Sequence, residues 1–285
     1  MKEIAPAKLT LTLRMLDKRE DGFNNLEALT VFLPEVFDIL NLNMSGDFEV
    51  KSESIAMSAD DTNLVVRAFQ LFSSHSKVVG RNLDIGNCGF VLEKHIPIAA
   101  GLGGGSADAA ATLRLLNRKF GSILNEDELH EMAAWLGSDI PGCLRSKALW
   151  MEGRGDVIKE ISDFDAVGMK VLVVTPNIFC PTPLVYKRFE QMGRPSDEGM
   201  QVEGLAPYAD NLHNDLSIAA FDLFPNLLEF KENIESISKL DFFLAGSGSS
   251  LFAVSETESI QKAQSAIEAE FSRDDYRMIG SSSMA

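Results

Sequence analysis

The sequence predicts a chain of mixed strands and helices in two domains, residues 1–160 and 161–285. At 285 residues the chain is long for one hydrophobic core and comfortable for two. Strict alternation near the N-terminus marks strands, and apolar residues at helical spacing follow further on. A fresh strand-like run, MKVLVVTP, begins at Met169 and sets the boundary near 160.

KLTLTLRML sets Leu9, Leu11, Leu13 and Met15 against Lys8, Thr10, Thr12 and Arg14, the period of a half-buried strand. REDGFNN supplies turn chemistry, and LEALTVFL resumes strand character. FDILNLNMSGDFEVKS reads as two further strands about Ser45-Gly46-Asp47. DDTNLVVRAFQLF opens on capping residues, which places Asn63 near a helix start. GFVLEKHIPI is a strand leading into a glycine-rich loop; helices follow from Ser106 to about Lys119 and over 126–136. ALWMEGRGDVIKEI is a strand, a turn and a strand. The second half holds strands at 169–175, 241–245 and 250–254, and helices near 182–190, 213–222, 226–235 and 257–271. Residues 192–206 read as a mobile loop and the GSSSMA tail as disordered.

A net charge of −16 weighs against a nucleic-acid or anionic-membrane surface, which needs basic patches. Three cysteines without CxxC spacing point to a reduced, cytoplasmic chain, and MKEIAPAKLT lacks the apolar core of a secretory signal. The four histidines show no metal spacing.

PIAAGLGGGSADAA places four glycines in five positions ahead of an alanine-rich helix. Each glycine costs about 1 kcal/mol relative to alanine in a regular element, so bare backbone must be needed there. The order is not that of a Walker A loop. It is imperfect for G-x-G-x-x-G too, because Ser106 replaces the third glycine and the downstream acids Glu126 and Asp127 open a helix. What remains is a glycine turn feeding a helix N-terminus, where N–H groups and the dipole favour an anion such as phosphate. A tight packing turn capped by Ser106 is the alternative.

PIAAGLGGGSADAA resembles the phosphate-binding motif of the GHMP small-molecule kinases. APAKLTLTL, DGFNNLEALTVF, DTNLVVRA, LGSDIPGCL, PTPLVY, NDL and LAGSGSSLFA fall in the order and spacing of one branch of that superfamily. Over essentially its full length the chain is similar to the 4-diphosphocytidyl-2-C-methyl-D-erythritol kinases of non-mevalonate isoprenoid synthesis. The resemblance implies an α+β fold of two domains, the first like ribosomal protein S5 domain 2 and the second ferredoxin-like. It also implies ATP and Mg2+ as cofactors and a cytidine diphosphate-linked sugar alcohol as the partner. The protein would then be a monomer or homodimer with no nucleic acid or membrane partner.

The same resemblance implies roles. Asp139 matches the base that accepts the proton of the attacking hydroxyl, and Lys8 the lysine paired with it. An ammonium near a carboxylate favours its charged form, and a positioned base contributes about 10²–10⁴ in rate. Asp139 also reads as a helix N-cap, and Lys8 as a solvated strand residue. Asn63 matches the segment lining the adenine pocket. Lys94, Pro97, Gly101, Leu102, Gly103, Gly104, Gly105, Ser106 and Ala107 match the nucleotide side. Ser106 is a candidate magnesium contact or a plain cap, and Lys94 reads equally as a surface lysine. Tyr186 and Phe23 match aromatics on the two faces of the cytosine, each stacked contact contributing about 1–3 kcal/mol. Thr182, Gly246 and Gly248 match substrate-side positions.

Three substrate-side positions depart from the family pattern. Asn24 stands where a histidine reads the cytosine edge, Thr10 where an asparagine follows the lysine by two, and Phe23 where a tyrosine is usual. Asparagine still offers a donor and an acceptor to a base edge. The competing readings are a GHMP kinase acting on a different small alcohol and a catalytically silent nucleotide-binding homologue.

Overall fold

The computed structural model describes residues 1–44, 48–52, 61–78, 85, 88–161, 164, 169–193 and 212–285. In chain order the elements begin with β1 (Lys2–Lys18), β2 (Asn24–Asn43), β3 (Phe48–Ser52), α1 (Leu64–Val78) and β4 (Gly89–Lys94). Next come α2 (Gly104–Lys119), α3 (Glu126–Leu136), α4 (Ile140–Arg145), β5 (Leu149–Glu152) and β6 (Val157–Glu160). Then follow β7 (Met169–Pro176), α5 (Thr182–Met192), β8 (His213–Asn214), α6 (Ser217–Leu223) and α7 (Pro225–Ser238). The chain closes with β9 (Phe243–Leu244), β10 (Leu251–Glu256), α8 (Thr257–Glu270) and β11 (Tyr276–Ser282).

Two compact units interleave along the chain. The first comprises Met1–Lys8, Phe37–Ile96 and Gly103–Ser146. Its strands lie in the order β3-β4-β2-β1, with β3 parallel to β4 and β4 antiparallel to the second half of β2. Alanines suit α2 to close packing: Ala107, Ala109, Ala110 and Ala111 are buried with Leu113, Leu115 and Leu116, and α1 and α4 pack on this helix. Asn125 closes a full capping box with Glu128 at the start of α3.

The second unit comprises Leu9–Val36, Pro97–Leu102 and Lys147–Ala285. Here β2 pairs with β5 and β5 with β6, both antiparallel, while β8 pairs in parallel with β1 through Thr12 and His213. A separate four-stranded antiparallel sheet has the order β11-β7-β10-β9. Its central strand β7 carries the fully buried run Val171 to Val174.

Several expectations need correction. LEALTVFL and FDILNLN are one 20-residue strand, not two. Pro34 falls between the stretch that pairs with β5 and the stretch that pairs with β4, so its missing N–H costs neither of these two ladders a bond. The helix after the glycine loop opens at Gly104 rather than Ser106. The helix expected over 213–222 begins at Ser217, because His213 and Asn214 join β1. The C-terminal segment is ordered. Gly280 to Ser282 pair with β7, and Ala285 exchanges backbone hydrogen bonds with Phe32 at 2.9 Å. Its serines and glycine suggested disorder, but β7 offered an unpaired edge that their backbone could fill. Ser45 to Asp47 and the greater part of 192–206 lie outside the described residues. Among the described residues no helix is long and apolar enough to cross a membrane.

Candidate active site

In the first unit the Lys8 ammonium donates to Asp139 Oδ2 at 2.8 Å. Alternation along β1 turns Lys8 to the face opposite Leu9, and its side chain is only 11% exposed, which rules out a solvated strand face. Asp139 occupies the N-cap position of α4, with Pro141 in the first turn, yet its side chain makes no capping bond. The carboxylate goes to Lys8 instead and stays 38% exposed, open to a hydroxyl proton.

Gly103, the last loop residue before α2, abuts Lys8. Gly103 takes the left-handed conformation (φ 62°) as the N-cap of α2, and a Cβ there would stand 3.1 Å from Lys8 Cβ. Only a residue without a side chain satisfies both conditions easily. A Cβ on Gly104 would meet Ile96 at 3.0 Å and Lys94 Nζ at 3.2 Å. Ser106 is the third residue of α2 and not its cap. Ala107 donates its N–H to Gly103 O at 2.9 Å. Asn63 is buried and caps α1, its Oδ1 accepting from the Val65 N–H at 2.9 Å.

Lys94 is not a surface lysine: its side chain is 3% exposed. Its ammonium pairs with Asp38 and, at 2.7 Å, with Asp108. Asp38 Oδ1 also accepts the N–H groups of His95 and Ile96 at 2.6 and 2.8 Å, so this carboxylate holds the segment leading to the loop. Burial pushes the Asp108 carboxyl up to about 7, with Lys94 opposing and Asp38 adding to the rise. Burial pulls Lys94 down, but Asp108 and Asp38 outweigh it and the net shift is upward. Asp108 Oδ1 is buried without a hydrogen-bond partner.

Sequence reasoning missed Asp38, Asp108 and Arg114. Asp38 shares the buried face of β2 with Val36, Leu40 and Leu42, and a charge in that register was a legible signal. Asp108 stands alone among alanines, a second such signal. Arg114 of α2 donates to Cys143 O at 2.6 Å, at the far end of α4, and to Ile4 O at 3.1 Å and Glu3 at 2.8 Å on β1. One guanidinium therefore braces the two elements that carry Asp139 and Lys8.

The second unit groups another set. Pro97, Gly101 and Leu102 belong here, and a Cβ on Gly101 would collide with the Ala245 carbonyl and lie 3.2 Å from Gly248 N. Gly246 and Gly248 have φ of 56° and 87°, which suits the tight turn they form. Thr182 Oγ1 and Ser247 Oγ share a hydrogen bond of 2.7 Å. Asn214 Nδ2 donates to Leu244 O and Gly246 O at 2.8 and 2.7 Å, fixing the same turn. Tyr186 is half-buried on α5, Thr10 is buried on β1, and Asn24 is buried at the start of β2. Phe23 is 53% exposed, with the Arg154 guanidinium 5.5 Å from its ring centroid.

Residues 63–147 match the family described as GHMP kinases N terminal domain. The chain is 33% identical over 260 residues to the 4-diphosphocytidyl-2-C-methyl-D-erythritol kinase of Bacteroides fragilis, covering 88% of this chain and 91% of that one. It belongs to that kinase family. The corresponding kinase of Desulfotalea psychrophila is 34% identical over 269 residues, covering 90% of this chain and 86% of its own. A crystal structure of 4-(cytidine 5'-diphospho)-2C-methyl-D-erythritol kinase superposes with a TM-score of 0.77 at 27% identity, over 100% of this chain and 99% of that one. A mevalonate kinase structure, 12% identical, shares the fold with a TM-score of 0.67.

Family membership makes the chain a kinase of the GHMP type, with mixed α and β content. Gly103 at the end of its glycine loop stands beside Lys8, which pairs with Asp139 in the first unit. Thr10, Phe23 and Asn24 all belong to the second unit.

Proposed function

We propose that this chain transfers the γ-phosphoryl group of ATP to the 2-hydroxyl of 4-diphosphocytidyl-2-C-methyl-D-erythritol. The observation that carries the reading is the 2.8 Å ion pair of Lys8 and Asp139, set directly against Gly103 of the loop. Asp139 accepts the proton of the hydroxyl as its oxygen attacks the γ-phosphorus. Lys8 orients that carboxylate and offsets negative charge on the transferring group. The N–H groups at the start of α2, bared by Gly103, Gly104 and Gly105, bind phosphate oxygens. Asn63 lies on the adenine side.

Among the described residues no trio of His, Cys, Asp or Glu is grouped to hold a metal. Mg2+ would enter with the phosphates as its main ligands and Ser106 Oγ as the protein contact, where it would neutralise phosphate charge. On the acceptor side Phe23 and Tyr186 would stack on the cytosine and Asn24 would bond its edge. Thr10, Thr182, Gly246 and Gly248 would shape the remainder.

The order β11-β7-β10-β9, with helices between β7 and β9 and again between β10 and β11, supports a ferredoxin-like second domain. A first domain like ribosomal protein S5 domain 2 rests on the family resemblance. We place the division at 160/161, ahead of β7, where the chain enters the second sheet. Three free, buried cysteines support a reducing, cytoplasmic setting.

A coupled ADP-release assay with Mg-ATP and this acceptor, run beside Asp139→Asn, tests the reading. Acceptor-dependent ADP release that collapses in the variant supports both acceptor and base. Asn24 in place of histidine favours a second reading, a different small alcohol; wild type that binds ATP yet releases no ADP with the cytidine substrate would decide for it.

A further inference from the structure

Pro97–Leu102, the first half of the glycine loop, lies in the second unit and is held there by one turn and one side chain. The turn is Gly246–Ser250. Ser250 N–H donates to Ala100 O at 3.1 Å, and a Cβ on Gly246 would stand 3.3 Å from Gly101 O. The side chain is Arg277 of β11. Its Nη1 donates to Ile98 O at 2.7 Å, its Nη2 to Ser249 Oγ at 2.8 Å and Ile178 O at 3.1 Å, and its Nε to Pro176 O at 3.2 Å. Ser249 Oγ gives its own proton to Ile178 O at 2.6 Å, leaving its lone pairs for the guanidinium.

This is more than a staple for β11. That strand is already paired with β7 at six positions, from Tyr276 to Ser282. The register slips between Tyr276, opposite Pro176, and Met278, opposite Thr175, so Arg277 is the extra residue of a bulge. Bulges re-aim a side chain, and they are over-represented beside active sites. Here the bulge directs a guanidinium to a loop carbonyl that belongs to no helix or strand.

We propose that Arg277 is a positioning residue for phosphoryl transfer, holding the start of the phosphate loop and the Gly246–Ser250 turn in a single register. This rests on the reading that the loop binds ATP. Its planar fork reaches three segments at once, which a lysine's point charge cannot do. Nucleotide binding therefore depends on a residue that touches no reacting atom.

Calorimetric titration with the non-hydrolysable ATP analogue AMPPNP and Mg2+ tests this on wild type, Arg277→Ala, Arg277→Lys and Ser249→Ala, with Tm measured in parallel. Arg277→Ala should weaken binding about tenfold, the scale of one or two lost charged hydrogen bonds, and raise the KM for ATP more than it lowers kcat. Arg277→Lys should recover part of the loss. Ser249→Ala should weaken binding about two- to threefold with little change in Tm. Variants that bind as wild type does while melting earlier would reduce Arg277 to a sheet staple and overturn the proposal. Should Arg277→Ala fail to fold, unchanged affinity in Ser249→Ala overturns it equally. Wild type without affinity for the analogue would instead defeat the reading of the loop itself.

Discussion

Gly103 backs directly onto Lys8, so the loop that would carry phosphate and the lysine that would face it share one van der Waals boundary. Gly103→Ala meets two obstacles there, a left-handed backbone and a Cβ 3.1 Å from Lys8 Cβ. The expected cost is about 1–2 kcal/mol of stability from the backbone alone. Turnover should fall by about tenfold or more as Lys8 is displaced, since each 1.4 kcal/mol of barrier is a factor of ten. Steady-state kinetics beside thermal melting separates the two effects.

Asp139→Asn keeps the shape of the side chain but removes the proton acceptor. We expect kcat to drop about 10²- to 10⁴-fold with ATP affinity within a few-fold of wild type. Lys8→Met should lower kcat as well and should also weaken binding of AMPPNP. A kcat that survives Asp139→Asn would dismiss this carboxylate as the base.

Lys94→Met would leave Asp38 and Asp108 facing each other without their shared cation. Breaking a buried pair in this way costs about 3–5 kcal/mol. Urea denaturation measures it, and a change below about 1 kcal/mol would mean that the three groups are not coupled as described.

Asp108, facing Lys94 and Asp38, is raised from 3.8 to about 7. Its carboxyl therefore stabilises the fold fully below pH 3.8, and that contribution is lost as the pH rises through about 7. Asp108→Asn removes this dependence. Between about pH 4 and 8 the variant's denaturation midpoint should rise relative to that of wild type. Parallel midpoints would contradict the assignment.

Glu35 behaves in the opposite sense. Burial pushes its carboxyl up, but hydrogen bonds from Ser282, Ser283 and Lys170 prevail and hold it at about 2. Its contribution is present above 4.5 and lost as the pH falls toward 2. Glu35→Gln should therefore lose less stability than wild type across that acid range. Because Glu35 is 47% exposed, the difference should be small, and it should shrink further in salt. Hydrogen exchange along β11 at pH 3 and pH 6 reports it locally.

What the sequence by itself determined is what local pattern carries: the period of β1, the helix start at Asn63, the capped helix over 126–136 and the glycine loop ahead of α2. Lys8 and Asp139 were legible only because their short motifs resemble those of a family. Nothing local links residues 131 positions apart, and only folding brings them to 2.8 Å. Tertiary structure alone decided that Lys94 is buried, since its charge is tolerable only where Asp38 and Asp108 converge from other elements. It likewise decided that a serine-rich tail becomes strand, because β7 supplies an edge that composition cannot reveal. Arg277 reaches Ile98 across 179 positions. Propensity and period act over a few residues, whereas the partner of a buried charge or a free strand edge is chosen by whatever the rest of the chain brings beside it.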